Sequence, residues 1–72
     1  MRSTTAPAGP DDRQRRRFGS ALHDARVARA LSQTELATRS GVTQPAVSGW
    51  EQGKFAPEPP QVFALERALG IP

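Results

Sequence analysis

The side chains best suited to reading another molecule's hydrogen-bond pattern are the amides of Gln33 and Gln44 and the hydroxyls of Thr43 and Ser48. A carboxamide donates and accepts at once, so one glutamine can span adenine N6 and N7 in the major groove of a duplex. Gln44 is the strongest candidate for that chemistry. Thr43 and Ser48 offer hydroxyls to a phosphate or a base edge, and Pro45 and Ala46 suit a thymine methyl. A second cluster, Arg13, Arg15, Arg16 and Arg17, is of the kind that attracts a polyphosphate and releases counterions on contact. Taken alone, that run reads equally well as a solvated stretch that aids solubility or part of a tail left by cloning.

Other chemistries find no material. There is no paired carboxylate suited to a cleft, no nucleophile beside a base and no glycine-rich phosphate loop, so no enzyme is expected. Ser48 and His23 lack a third partner, and His23 reads as a surface residue on the solvent side of its helix. With no cysteine and one histidine, neither a disulfide framework nor a zinc site is expected, and no cofactor is implied.

The amides must be held by helices. Ser32 followed three residues later by Glu35 has the spacing of a capping box, and Leu31 and Leu36 sit where a hydrophobic staple closes. Arg39 and Ser40 lead into Gly41, a residue type that tolerates the left-handed conformation of a helix end. Thr43 then supplies a second N-cap, Pro45 falls in the first turn, and Val47 and Trp50 share one face. The pattern predicts a helix from Ser32 to about Ser40 and a second over about 44–52, ended by Gly53. Helices shorter than about 12 to 15 residues are marginal alone in water, so the two must share a core. Leu36, Ala37, Val42, Val47 and Trp50 supply one, leaving Thr43, Gln44, Pro45, Ala46, Ser48 and Gly49 outward. Glycine at 49 has no side chain to read a base, which confines recognition to the first turn and leaves the arginines or DNA shape to add specificity.

The rest of the chain supports this pair. Its 72 residues allow one small domain of modest stability. Residues 1–17 hold five arginines against two aspartates, and residues 18–72 are balanced, so the net charge of +3 sits in the first segment. Residues 1–12 read as a flexible basic arm and residues 13–72 as the folded domain, with Arg13 to Arg17 either opening the first helix or ending the arm. From Phe18 the spacing of Phe18, Leu22 and Ala25 is helical, closed by Val27 or Ala28 and Leu31. After Gly53 a proline-stiffened loop leads to a last helix started by Pro59 and Pro60, its apolar face made by Val62, Phe63, Leu65 and Leu69, and ended by Gly70. Nothing reads as a secretion signal or a membrane span, so a cytoplasmic protein is expected.

LSQTELATRSGV, TQPAVSGWEQG and ALGI together resemble the XRE-like helix-turn-helix family, of the phage lambda repressor and Cro type, over roughly residues 18–71. Ala37, Gly41, Val42, Val47, Trp50 and Glu51 fall in register. The resemblance implies an all-α bundle of four helices, or of five cut short, with the helix-turn-helix over about 32–53. It also implies sequence-specific binding of double-stranded DNA by a transcriptional regulator such as a repressor, associated with the nucleoid. Gln44, Pro45, Ala46 and Ser48 would then read bases, while Gln33, Thr43, Lys54 and the arginines of 13–17 would meet phosphate, with Gln33 bracing Gln44. Arg26 and Glu51 would form a structural pair. Relatives often act as homodimers and often carry a fifth helix or a further domain or partner; related folds also serve as antitoxins or protein-docking modules, with apolar or acidic outward faces. Ala30 departs from the family's glycine, and Glu66 from its small apolar residue.

Overall fold

In the computed structural model, residues 11–71 are described, and they form four helices: α1 (Asp12–Ala28), α2 (Gln33–Ser40), α3 (Gln44–Glu51) and α4 (Pro59–Leu69). Residues 1–10, most of the expected arm, lie outside the described residues, as does Pro72. The described residues contain no strand, so the fold is all-α with α2 and α3 as the helix-turn-helix.

α1 starts well before Phe18. Asp11 Oδ1 accepts from the Gln14 N–H at 2.9 Å and Gln14 Oε1 accepts from the Asp11 N–H at 3.1 Å. This reciprocal cap satisfies two orphan donors and draws Arg13 to Arg17 into the first turns of the helix. Apolar periodicity cannot register such a start, because nothing from Asp12 to Arg17 is apolar. The expected capping box at Ser32 and Glu35 forms in the same way, and Thr43 Oγ1 caps α3 by accepting from the Ala46 N–H.

Leu22, Leu31, Leu36, Ala37, Val47, Trp50, Leu65 and Leu69 make the core, with Phe18, Ala25, Val42, Ala46 and Ala68 packed against it. Phe63, and Val27 with its alternative Ala28, are corrected as core positions. Phe63 is 61% exposed and Val27 is 54% exposed, and Ala28 is exposed as well. Phe63 stands about 200° around the helix from Leu65, and Val27 about 140° from Leu22, so neither can follow its neighbour inward. Leu31, from the turn after α1, closes the core as expected, without them.

α1 crosses α3 at unusually short range. A Cβ on Gly19 would stand 2.4 Å from the Trp50 carbonyl oxygen and 2.6 Å from that of Glu51, so only glycine permits this approach. The crossing fixes the end of α3 against the middle of α1.

All four helices end in the same wrap. The N–H two residues past the last turn returns to a carbonyl five residues back, as in Leu31 to Arg26, Val42 to Ala37, Lys54 to Gly49 and Ile71 to Glu66. The motif requires a left-handed residue, and Gly41, Gly53 and Gly70 provide it with φ near 75°, 74° and 73°. After α1 the residue is Ala30, at φ 56°. The left-handed geometry is therefore kept without a glycine, at the cost of placing a Cβ against the following carbonyl. Ala30→Gly is expected to stabilise the domain by about 1 kcal/mol, raising Tm by ~4–8 °C. Gly41→Ala, where a Cβ would meet no atom within 4 Å and backbone strain acts alone, should lose a similar amount. Thermal denaturation followed by circular dichroism checks both.

Candidate nucleic-acid interface

The turn at Gly41 and the Thr43 cap present the first turn of α3 to solvent, with Thr43, Gln44 and Pro45 exposed. Behind that surface runs a chain of polar contacts that ends on one carboxylate. Gln44 Nε2 donates to Gln33 Oε1 at 2.8 Å, and Gln33 Nε2 donates to Glu51 Oε1 at 3.0 Å. Arg26 closes the chain, with Nε 2.6 Å from Glu51 Oε2 and Nη2 3.0 Å from Oε1. Its Nη1 also donates to the Leu31 carbonyl at 2.8 Å.

This order fixes amide orientations that geometry alone leaves open. An ionised carboxylate only accepts, so Gln33 must turn its NH₂ to Glu51 and its oxygen to Gln44. Gln44 must then give one N–H to Gln33. It retains a second N–H and a carbonyl oxygen, a donor and an acceptor side by side at the solvent end of the chain.

The Arg26 and Glu51 side chains are only 12% and 5% exposed, so they form a buried pair joining α1 to the end of α3. Burial opposes the charge on Glu51, but hydrogen bonds from Arg26, Gln33 and His23 outweigh it and hold the carboxyl below its usual range. Arg26 shifts upward, chiefly through its hydrogen bond to Glu51. His23 is the residue that sequence reasoning missed. It is exposed, as its place on the solvent side implies, but it is not without contacts: its Nδ1 lies 3.2 Å from both Glu51 Oε1 and Arg26 Nη2. The available signal was its placement three residues before Arg26, on the face of α1 that also carries Gly19.

The arginines divide. Arg13, Arg16 and Arg17 are exposed. Arg15 is half-buried, donating through Nε to the Gly53 carbonyl at 3.2 Å and pairing with Asp12. A Cβ on Gly53 would lie 3.0 Å from Arg16 Cγ and 3.1 Å from its Cα, so the first turns of α1 rest on the turn that carries Lys54. Arg15 and Arg16 are thus brought to the same end of α3 as the exposed Lys54. Thr43 stands at the opposite end, at the N-terminus of α3, and Gln33 opens α2 with its amide between Gln44 and Glu51.

On α3, three positions expected to face outward do so less than supposed. Ala46 packs against the core, because the helix turns it toward Trp50. Ser48 is half-buried and its Oγ accepts from Gln52 Nε2 at 2.7 Å. Gly49 is buried rather than open: a Cβ there would stand 2.2 Å from Phe55 Cζ, so the Phe55 ring covers it. Among the described residues no group of three or more His, Cys, Asp or Glu could hold a metal ion.

A family model described as helix-turn-helix matches residues 22–72. No curated protein matches the sequence significantly. Among solved structures, the restriction-modification controller protein C.AhdI from Aeromonas hydrophila is 33% identical, with 83% of this chain and 91% of that one covered and a TM-score of 0.81. The P22 c2 repressor, solved in complex with a synthetic operator, is 27% identical over 76% of this chain and 83% of its own, with a TM-score of 0.73. The clp gene regulator ClgR from C. glutamicum is 28% identical over 93% and 82%, with a TM-score of 0.78.

Removing one member of a buried pair strands the other, so Arg26→Ala and Glu51→Ala should each cost about 3 kcal/mol, with the double mutant costing less than their sum. Urea denaturation of the four proteins checks the cycle. The folded-state carboxyl of Glu51 lies below its unfolded value, so its stabilisation is complete above about pH 4.3 and is lost as pH falls through the lower folded value. Unfolding midpoints measured down an acid series should therefore fall less steeply in Glu51→Gln than in the wild type.

Proposed function

The chain belongs to the XRE-like helix-turn-helix family, of the lambda repressor and Cro type, and on that premise we propose that it is a transcriptional regulator that binds double-stranded DNA in a sequence-specific way. The observation that carries this reading is the polar chain from Arg26 through Glu51 and Gln33 to Gln44. It leaves a positioned donor and acceptor at the exposed end of a capped helix, which is what adenine N7 and N6 require in a major groove. The likeness to a repressor solved on its operator supports the same reading.

In this reading α3 enters the major groove by its first turn, with Gln44 on a base edge and Pro45 beside it. Ser48 contributes through the hydroxyl proton that its contact with Gln52 leaves available, and Ala46 only through the part of its methyl that the core does not cover. Thr43, Gln33 and the helix N-termini they occupy meet one phosphate strand. Lys54 and the arginines at the start of α1 meet the other, with Arg13, Arg16 and Arg17 more available than Arg15. Beside the apolar Pro45, the outward face carries the amide of Gln44 and the hydroxyl of Thr43 and no exposed acidic group, which favours a duplex over an antitoxin's protein partner. The protein acts without a cofactor and catalyses no reaction; it works in the cytoplasm at the nucleoid, as a homodimer on paired half-sites or together with a further domain or partner. No helix among the described residues is long and apolar enough to cross a membrane.

Selection of bound duplexes from a random library, followed by titration at two salt concentrations, tests the reading. Gln44→Ala should lower affinity for the selected site by about 1 to 3 kcal/mol and relax the preference at one base pair. Arg16→Ala should weaken all sequences alike and reduce the salt slope by about 1. A Gln44→Ala protein with unchanged affinity and preference would remove the assignment.

A further inference from the structure

Phe55 occupies a place on α3 that its own sequence leaves empty. Gly49 lies one turn after Pro45 on the same stripe of the helix, flanking the outward surface that begins at Gln44. The wrap at Gly53, in which Lys54 N–H returns to the Gly49 carbonyl at 3.0 Å, brings the following residue back against the helix. The far edge of the Phe55 ring then sits where a side chain on residue 49 would begin, with Cζ 2.2 Å, Cε2 2.7 Å and Cε1 2.9 Å from that Cβ position. Any side chain at 49 would displace the ring. Despite covering Gly49, Phe55 remains 47% exposed.

An aromatic ring half open to water, in the loop that follows the reading helix, gains little for the core. Phe18, Leu65 and Trp50 already fill the interior from other sides. What the ring does is continue the exposed apolar surface of Pro45 along α3 in the direction of Lys54. It carries no charge or donor for a phosphate. The apolar group that a major groove displays is the thymine 5-methyl, and phenylalanine is among the side chains that meet it.

We infer that the Phe55 ring, standing in for a side chain at residue 49, packs against a thymine 5-methyl and adds a second point of base discrimination behind Gln44. The inference rests on the DNA-binding reading above. It extends recognition past the first turn of α3, where glycine at 49 had set the limit.

The test replaces each thymine of the selected duplex in turn by deoxyuridine, which removes only the methyl group. Wild-type protein should lose about fourfold in affinity at a thymine distinct from the base pair read by Gln44, the worth of one buried methyl. Phe55→Ala should bind the thymine and deoxyuridine duplexes equally at that position while keeping the preference that Gln44 confers. With 5-iodouracil at the same position and wild-type protein, irradiation should place the cross-link on Phe55, a result that needs no variant to fold. Wild-type indifference to every methyl, a Phe55→Ala protein with the wild-type ratio, or a cross-link on another residue would each overturn the inference while leaving duplex binding intact. A wild-type protein that bound no duplex at all would instead remove the functional reading and the inference with it.

Discussion

One buried negative charge holds this domain's working surface in place. Glu51 closes α3 at a point where α1 passes too close for any side chain on Gly19, so its carboxylate has little access to water. A charge there requires partners, and they come from two other helices: Arg26 and His23 from α1, Gln33 from the start of α2. Arg26 reaches on to the Leu31 carbonyl and so ties in the turn that precedes α2. Such a pair contributes less to net stability than its geometry suggests, because desolvation offsets much of the attraction. Its contribution is to specify one arrangement of three helices, and with it one orientation for two amides.

The same economy of space governs the helix ends. Two helices of eight residues have too few internal hydrogen bonds to persist alone, so nearly every terminal group must find a fixed partner. Asp11, Ser32 and Thr43 satisfy the starts, and the repeated wrap satisfies the ends. Arg29 adds a bond to the Leu69 carbonyl, placing a cation at the C-terminal end of α4. Short helices, closely crossed and capped at both ends, leave the surface of α3 little freedom to shift relative to α1.

How far the sequence could be read follows from the range of each interaction. Local rules located the Ser32 cap, the Gly41 turn, the Thr43 cap and the prolines opening α4, since each depends on residues within a few positions. The Arg26 and Glu51 pair was reachable only through the resemblance, because nothing local joins residues so far apart. Spacing alone misplaced Phe63 and Val27, whose apolar character says nothing about angle. It also missed the role of His23, and it took Gly49 for an open gap. Whether a glycine marks empty space or a space filled from elsewhere depends on a loop that folds back from Phe55, and that is a tertiary fact.

The grounded orientation of the Gln44 amide has a chemical corollary. A guanine offers two acceptors, N7 and O6, where adenine offers an acceptor and a donor. To satisfy a guanine, the amide would have to withdraw its bond from Gln33 or rotate, and rotation would set two carbonyl oxygens face to face. Were Gln44 set against a base edge as proposed, the purine exchange would be resisted from inside the protein as well, by electrostatic strain passed back to the Glu51 carboxylate.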